Sequence, residues 1–439
     1  SFYKITYEAE YNSGSANNVY YWADGYSLIN RANLIIEGVT NAAAEGIITQ
    51  EEADDYIGQA KFFRGITLFE LNKMYSRPYS LDPNALGAII SDTPVNTEEG
   101  LEKARATGRS KVSEVYEFVL NDLTEAEKKI KGLHWSDELH VSSDAAIAFK
   151  TRVYLHMRDW PNVIAEANKL DGKYALTEAP SGVFDQNLGN GETIFSIEQT
   201  GNSNAGVNGA LGSQYGRREL VAISPIIWNN AGWLNDDKRR ATVDIDALKA
   251  ENPKYEFDPM SSEGIFVRKS GKVLYTNKYR DYSTLSDKSP LIRYAEVLLN
   301  RSEALARTGK LDDALNDLNK VRDRALANPT AQSYKASDLA TDKSMVEAII
   351  LERRIEFLME GNRYSDIHRL QKDDLAPIDG IPAKVENGKP IGYDAASGVM
   401  PTNLVVKGIP YDDFRFIWPI PNTEEANNPG VKGQQNPGY

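Results

Sequence analysis

Apolar residues recur at helical spacing in two separate blocks of the chain. In the first block this pattern predicts helices over 24–39, 50–76, 110–130, 144–157 and 161–170, and in the second over 291–308, 311–327 and 343–371. Asp24 and Ser110 stand where capping residues stand, and Pro161 is placed at a first helical turn. The pattern therefore predicts a mainly α-helical protein.

Helical periodicity fades between and after these blocks. Residues 171–288 are rich in Gly, Asn, Ser, Asp, Tyr and Trp and carry only short strand-like runs, at 193–198 and 264–267. Residues 373–439 are again rich in Gly, Pro and Asn. We interpret 171–288 as a ligand-binding insertion and 373–439 as an irregular C-terminal segment. The 439 residues then form a single unit whose helical scaffold lies mainly in 24–170 and 291–371.

An internal repeat supports this division. Residues 148–170 align without gaps with residues 299–321, at an offset of 151. Each copy reads as a helix, a short turn and a second helix, and the second copy has the rhythm of small and apolar residues of a tetratricopeptide hairpin. Such hairpins bury their apolar faces by stacking. We therefore predict about four tetratricopeptide-like hairpins in a right-handed scaffold, with a largely irregular portion containing short strands packed on it.

Composition excludes several functions. The net charge of −13 at pH 7 argues against nucleic-acid binding and against binding to an anionic membrane surface. The chain has no cysteine, which removes disulfides, thiolate metal sites and a cysteine nucleophile. It also has no P-loop, no dinucleotide fingerprint and no Gly-x-Ser-x-Gly motif, and we expect no cofactor.

Charged residues cluster in the last long predicted helix. Glu352, Arg353, Glu356, Glu360 and Arg363 could be read as paired catalytic carboxylates. We interpret them instead as ion pairs within and beside the helix, because they lie in an otherwise apolar sequence.

The positions of the histidines do not predict a metal site. His134 and His140 flank a polar loop but lack a third ligand at suitable spacing, so we predict no metal site. A Ca²⁺ ion near Asp236 and Asp237 is left open, although no EF-hand loop is present.

Aromatic residues in the irregular regions are the better functional signal. Flat rings stack on the apolar face of a sugar, while amides bind its hydroxyl groups. Two regions offer this mixture in predicted loops, and they give the candidate ligand-binding residues Tyr20, Tyr21, Trp22, Tyr215, Trp228, Asn229, Asn230, Trp233, Tyr275 and Tyr279. The alternative is that some of these rings pack in the core, Trp22 against the helix over 24–39 in particular.

Several segments together resemble the SusD/RagB family. They are EADDYIGQAKFFRGITLFELNKMY (52–75), SKVSEVYEFVLNDLTEAEKKI (110–130), AFKTRVYLHMRDW (148–160), LIRYAEVLLNRSEALARTG (291–309), ILERRIEFLMEGNRYSDIHRL (350–370), IWPIP (417–421) and QNPGY (435–439). The resemblance covers nearly the whole chain. It differs at the start, where family members carry a lipid-modified cysteine, so we expect further sequence to precede Ser1.

The resemblance implies a lipid-anchored protein on the extracellular face of the outer membrane, bound to the membrane only through that N-terminal lipid. It implies capture of oligosaccharides or polysaccharides and their delivery to a SusC-like TonB-dependent β-barrel transporter, without catalysis. Three alternatives stay open: an oligopeptide-binding RagB-like protein, a glycoside hydrolase, and a plain tetratricopeptide scaffold.

Overall fold

The computed structural model describes residues 3–135, 137–185, 189–385 and 394–439. The helices are α1 (Lys4–Glu8), α2 (Ala16–Ala44), α3 (Gln50–Tyr75), α4 (Glu98–Ala106), α5 (Val112–Lys129), α6 (Ser143–Met157), α7 (Trp160–Asn168), α8 (Gly206–Gly209), α9 (Pro225–Trp228), α10 (Ile245–Glu251), α11 (Tyr294–Arg307), α12 (Leu311–Asp323), α13 (Pro329–Gln332), α14 (Asp342–Glu356), α15 (Arg363–Arg369) and α16 (Asn422–Asn427). The strands are β1 (Thr193–Ile197), β2 (Thr242–Asp244), β3 (Val267–Ser270), β4 (Val273–Thr276) and β5 (Ser289–Arg293).

The long helices form a tetratricopeptide-like scaffold, which confirms the predicted fold class. Helix α3 packs between α2 and α5, α6 packs against α5 and α7, and α11 contacts α6, α7, α12 and α14. One hydrophobic core runs through this stack. Its centre is Phe62 of α3, whose ring lies edge-on to Phe149 of α6 at 5.3 Å and to Phe195 of β1 at 5.4 Å. The same ring therefore ties the first helical block to β1 of the 171–288 segment.

The internal repeat is also a repeat in structure. Helices α6 and α7 form one hairpin, and α11 and α12 form the other. Arg158 ends α6 with φ 61°, and Gly309, its equivalent at the repeat offset, follows α11 with φ 76°. Both turns therefore use one left-handed residue to reverse the chain, the conformation that commonly ends a helix.

Residues 171–288 leave the scaffold and return to it through a strand pair. Strand β1 pairs antiparallel with β5, which runs directly into α11. Beyond this pair, β3 lies between a parallel β2 and an antiparallel β4 in a small sheet. The C-terminal segment lies along α3, where the Trp418 N–H donates to the Met74 carbonyl at 2.9 Å and the Asn436 amide donates to the Tyr75 carbonyl at 2.8 Å.

Several boundaries differ from the sequence prediction. Helix α2 ends at Ala44 and α12 at Asp323, where the pattern predicts ends at 39 and 327, and the strand predicted over 264–267 is β3. Helix α2 begins at Ala16, not after Asp24, because the extended Ser15 precedes it and the buried, polar Asn18 continues the inward face outside the apolar pattern. Residues 291–293 are strand, and α11 begins at Tyr294. The helix predicted over 343–371 is two helices, since residues 357–362 form a turn with Met359 at φ 63° and Gly361 at φ 83°.

Candidate functional site

A cleft of about 420 Å³ lies between α2, the loop over 89–95, α4 and α16. Its apolar wall is made by Tyr26 together with residues of the loop and of α4, including Ile90, Val95 and Leu101. The Tyr26 hydroxyl donates to the Ile89 carbonyl at 3.0 Å and accepts from the Ile89 N–H at 2.7 Å. These two bonds hold the ring against the loop, so the apolar wall is preformed.

Polar side chains surround this wall. The side-chain oxygen of Asn30 accepts from the Val95 N–H at 2.8 Å, and the Asn30 amide N–H groups make no hydrogen bond to any residue that the structure describes. Asp92 and Lys103 form an exposed ion pair at 3.4 Å. Burial alone would raise the pKa of Asp92, but hydrogen bonding from Thr93 and the charge of Lys103 lower it overall, so the carboxylate stays charged.

The far side of the cleft is fixed by α16. Glu424 accepts from the Trp22 indole N–H at 3.0 Å and from the Asn428 amide at 2.9 Å. The cleft therefore combines an aromatic and aliphatic wall with hydrogen-bonding groups of both kinds. It can hold a small polar molecule that has one apolar face. Sequence reasoning missed these residues, although Tyr26 and Asn30 stand one turn apart in α2 and could have indicated a shared face.

Trp228 and Trp233 lie in a second hydrophobic core, beside Leu351 and Ile355 of α14. They are only 8% and 2% exposed, and their ring centroids are 5.3 Å apart. The Arg240 guanidinium lies over the Trp228 ring at 4.0 Å and donates to the carbonyls of both tryptophans. The predicted loop placement is wrong for Trp228, which ends α9, and is confirmed for Trp233. Both rings are buried and anchor residues 171–288 to the scaffold. A contact with ligand stays a prediction.

The two asparagines between these tryptophans shape the local turn. The Asn229 amide donates to the Val399 carbonyl at 3.0 Å, and the Asn230 side chain accepts from the Gly232 N–H at 2.9 Å. Both side chains are half-buried. Their role in ligand binding also stays a prediction.

Three predicted tyrosines lie elsewhere in the 171–288 segment. Tyr215 stacks on Tyr279 with centroids 5.6 Å apart, and the buried Tyr279 donates its hydroxyl to the Met359 carbonyl at 3.1 Å. Tyr275, on β4, is half-buried and lies 5.5 Å from the Arg268 guanidinium. Of the three, Tyr215 and Tyr275 keep part of the ring accessible, whereas Tyr279 holds the turn between α14 and α15.

Tyr20, Tyr21 and Trp22 belong to α2, so their predicted loop placement is wrong. Trp22 is 3% exposed and packs against Tyr26 at 4.7 Å and Tyr75 at 4.8 Å, as the alternative interpretation expected. Tyr21 meets Trp418 edge-on at 5.7 Å. Tyr20 is 61% exposed and has the most accessible ring of these three.

Comparison with known proteins identifies the family. A family model described as "SusD family" matches residues 226–439, and one described as "Starch-binding associating with outer membrane" matches residues 2–155. The chain belongs to the SusD family.

Individual proteins that are similar to this SusD-family protein support the same family assignment. SusD-like protein P2 of Formosa agariphila is 27% identical over 386 residues, which cover 80% of this chain and 71% of the relative. A SusD superfamily protein from Bacteroides fragilis has a similar structure, with a TM-score of 0.76 and 24% identity over 98% of this chain and 88% of its own. A SusD-like carbohydrate binding protein from Bacteroides vulgatus has a TM-score of 0.72 and 21% identity, over 98% and 87% of the two chains. At these identities the two structures establish the shared fold.

The charged helix of this SusD-family protein is an ion-pair network, which confirms the sequence interpretation for Glu352, Arg353, Glu356 and Glu360. The interpretation is wrong for Arg363, which has no carboxylate within ion-pair distance among the described residues. Arg239 pairs with Glu352 at 2.6 Å and with Glu356 at 2.7 Å. Arg293 pairs with Glu356 at 2.7 Å, and Arg324 pairs with the same carboxylate at 2.5 Å. Burial alone would raise the pKa of Glu356, but these three guanidiniums hold it well below its usual range. The network joins the 171–288 segment, β5 and α12 to α14.

The histidines of the polar loop have local partners. His140 Nδ1 lies 2.7 Å from Asp137 Oδ1, and its ring stacks on Trp135 with centroids 4.8 Å apart. His134 stacks on Tyr56. Across the part of the chain that the structure describes, no three His, Asp or Glu side chains are grouped so that they could hold a metal ion. No helix among those residues is long and apolar enough to cross a membrane.

Proposed function

We propose that this protein binds oligosaccharides or polysaccharides at the cell surface and delivers them to a SusC-like TonB-dependent transporter, without catalysis. Membership of the SusD family carries the proposal, since the two family models match both halves of the chain. The Bacteroides vulgatus neighbour described as a carbohydrate binding protein supports the same cargo class. We further propose a lipid anchor and an extracellular position, as the family resemblance implies.

The chemistry of the cleft supports a sugar as cargo. A pyranose ring has an apolar face of C–H groups and a rim of hydroxyls, each of which can donate and accept hydrogen bonds. The cleft presents Tyr26 and aliphatic side chains to such a face, and Asn30, Asp92 and Lys103 to the hydroxyls. Its volume of about 420 Å³ lies within the usual range for small-molecule sites.

The aromatic residues predicted from sequence form a second part of the proposed binding surface. Tyr20 and Tyr275 are the strongest stacking candidates, because their rings are partly or largely accessible. The remaining predicted residues, Tyr21, Trp22, Tyr215, Trp228, Asn229, Asn230, Trp233 and Tyr279, would act mainly by holding the surrounding loops and helices in place. Proposed binding without catalysis is supported by the pairing of Glu352 and Glu356, the two buried carboxylates of α14, with arginines.

Calorimetric titration of the purified chain tests the proposal. The ligands are α-glucans, plant hemicelluloses and mucin-type O-glycans, with a mixed oligopeptide pool beside them. We expect selective binding to a glycan, weakened about 3- to 10-fold in Asn30→Ala, which removes one hydrogen-bonding side chain from the cleft. The matched control is Asn41→Ala, the same change at an exposed position of the same helix.

The outcomes separate the alternatives. Binding of peptides alone would replace the sugar with an oligopeptide cargo, and release of shorter sugars during titration would establish a glycoside hydrolase. If Tyr275→Ala weakens binding and Asn30→Ala does not, the site lies in the 171–288 segment rather than in the cleft. Failure of a SusC-like protein to co-purify from outer membranes would contradict the proposed partner.

A further inference from the structure

A second cavity, of about 240 Å³, lies where α9 faces the turn between α14 and α15. Three arginines line it, and two of them are Arg354 from the last turn of α14 and Arg363 from the first turn of α15. We call this cavity the arginine pocket. Phe357 and Ile227 supply apolar wall, and Ser224 and Asn362 supply hydrogen-bonding groups.

Neither arginine forms a direct ion pair among the described residues. Burial lowers the pKa of Arg363, and the charge of Asp366 offsets only part of that effect. Within residues 3–135, 137–185, 189–385 and 394–439, no carboxylate lies within ion-pair distance of Arg354 or Arg363, and neither guanidinium makes a hydrogen bond. Both side chains are half-buried. Burial, and then the charge of Arg363, lower the pKa of Arg354 to about 10. The free protein therefore holds two cations in a poorly solvated place, which is unfavourable without an anion.

The remaining titratable residues on the wall do not neutralise them. Asp366 is the acid of the pocket, and its carboxylate already accepts from Arg353 at 3.2 Å and from Arg369 at 2.9 Å. Arg353 also lines the pocket and donates to Asn300 at 2.6 Å. With three arginines and one aspartate, the wall is positive, in a chain whose net charge is −13.

The shape of the turn presents these charges at fixed positions. Met359 and Gly361 take left-handed backbone conformations, with φ 63° and 83°. The Tyr279 hydroxyl donates to the Met359 carbonyl at 3.1 Å, which ties the turn to the 171–288 segment. A left-handed methionine is uncommon and persists only where its surroundings hold it. The pocket is therefore built by both parts of the chain.

We infer that the arginine pocket is a subsite for the acidic group of a negatively charged sugar residue, a uronate carboxylate or a sulfate ester. Guanidinium groups bind both oxyanions through paired, charge-assisted hydrogen bonds. The adjoining Phe357 and Ile227 suit the apolar face of a ring, and Ser224 and Asn362 suit its hydroxyls. The volume is below that of a typical ligand site, so it fits one residue of a longer chain. This inference rests on the proposed glycan binding and names its substrate class.

The test uses the whole chain and matched ligands. Tri-galacturonic acid, its fully methyl-esterified form and a sulfated oligosaccharide are titrated by calorimetry, with an aspartate-rich peptide as a further arm. We expect an acidic glycan to bind at least about tenfold more tightly than the neutral ester. Arg354→Gln and Arg363→Gln should each abolish most of that preference, because they lower the affinity for the acidic glycan more than the affinity for the neutral ester. Arg31→Gln, at an exposed position on α2, is the charge-matched control.

Each outcome of these titrations supports or overturns a different part of the proposal. Preference for the galacturonate identifies the carboxylate as the anion, and preference for the sulfated glycan identifies the sulfate. Equal affinity for acid and ester, or unchanged preference in both variants, overturns the subsite while leaving glycan binding intact. Binding of no glycan at all overturns the proposed function itself, and tight binding of the peptide alone assigns the pocket to an acidic peptide. A melting temperature equal to that of the wild type shows that a variant is folded.

Discussion

Two neighbouring arginines on α14 have opposite surroundings. Arg353 is buried and donates to Asp366 at 3.2 Å and to Asn300 at 2.6 Å. Arg354, the next residue, faces the arginine pocket and has no acidic partner in the described chain. The same residue type therefore stabilises the fold at one position and leaves an unsatisfied charge at the next.

The difference separates the arginine of α14 that stabilises the fold from the arginine that we assign to ligand binding. Both arginines border the pocket, but successive helical residues point about 100° apart. Arg353 therefore reaches Asp366 and Asn300, while Arg354 reaches no acid among the described residues. On the core side, carboxylates of α14 and α15 neutralise the guanidiniums that surround them. On the cavity side, the cost of an unpaired charge is consistent with a site that receives its anion from outside.

The largest effect is expected when the buried ion pairs around Glu356 are broken. Glu356→Gln removes the charge that Arg239, Arg293 and Arg324 share. Because the three guanidiniums then stay buried without full compensation, the free energy of unfolding should fall by about 3–5 kcal/mol. Urea unfolding measures it. Glu347→Gln, on the exposed face of the same helix, should change it by less than about 1 kcal/mol, and a loss below that limit in Glu356→Gln would contradict the network's role.

Low pH should also lower the free energy of unfolding, because it protonates the carboxylates of the buried ion pairs. Burial alone would raise the pKa of Glu303, but Arg369 and Arg307 outweigh it and lower the pKa to about 2, from an ordinary value of 4.5. Since the folded pKa is the lower one, the stabilisation is complete above about pH 4.5 and is lost as the pH falls toward about 2. It amounts to roughly 3 kcal/mol.

Urea unfolding at a series of pH values measures this loss. In Glu303→Gln the acid-dependent part should shrink, while the exposed Glu51→Gln should follow the wild type. An unchanged pH dependence in Glu303→Gln would show that other carboxylates carry the acid sensitivity.

Removing the charge of Arg354, which has no ion-pair partner among the described residues, should not lower the free energy of unfolding. Arg354→Gln removes a desolvated charge that has no partner, so the free energy of unfolding of the unliganded protein should stay within about 1 kcal/mol of the wild type or rise. Arg353→Gln is the matched contrast, since it deprives Asp366 of one guanidinium and should lower that free energy. Equal losses in the two variants would mean that Arg354 has a structural partner.

Much of the scaffold follows from the sequence, because amphipathic periodicity decides which residues face the core. Helix α3 is predicted over 50–76 and spans Gln50–Tyr75, since apolar residues such as Ile57, Phe62, Ile66 and Phe69 recur along its buried face. The start of α2 was missed because its inward face there includes the polar Asn18. The split between α14 and α15 depends on a left-handed Met359, a residue type that gives no turn signal.

The candidate site was predicted less well, because exposure of an aromatic ring depends on tertiary packing. Trp228 and Trp233 stand in a loop-like sequence, yet α14 and Arg240 cover them. The cleft joins Tyr26 to Glu424, which are far apart in sequence and are brought together by the C-terminal segment. The motif around Arg353 and Arg354 predicted ion pairs correctly, but spacing alone does not show which arginine lacks its acid.

The smallest effect tests whether the two pocket arginines act on each other. Arg363 contributes to the lowered pKa of Arg354, so their charges repel in the free protein. Removing either charge relieves that repulsion, and removing the second should then gain less. In a double-mutant cycle, the change in the free energy of unfolding of the double variant Arg354→Gln/Arg363→Gln should therefore differ by about 0.5 kcal/mol from the sum of the two single changes. Added acidic glycan should reverse the sign of this coupling, because one bound anion joins the two guanidiniums; strict additivity in both conditions would mean that they do not share a ligand.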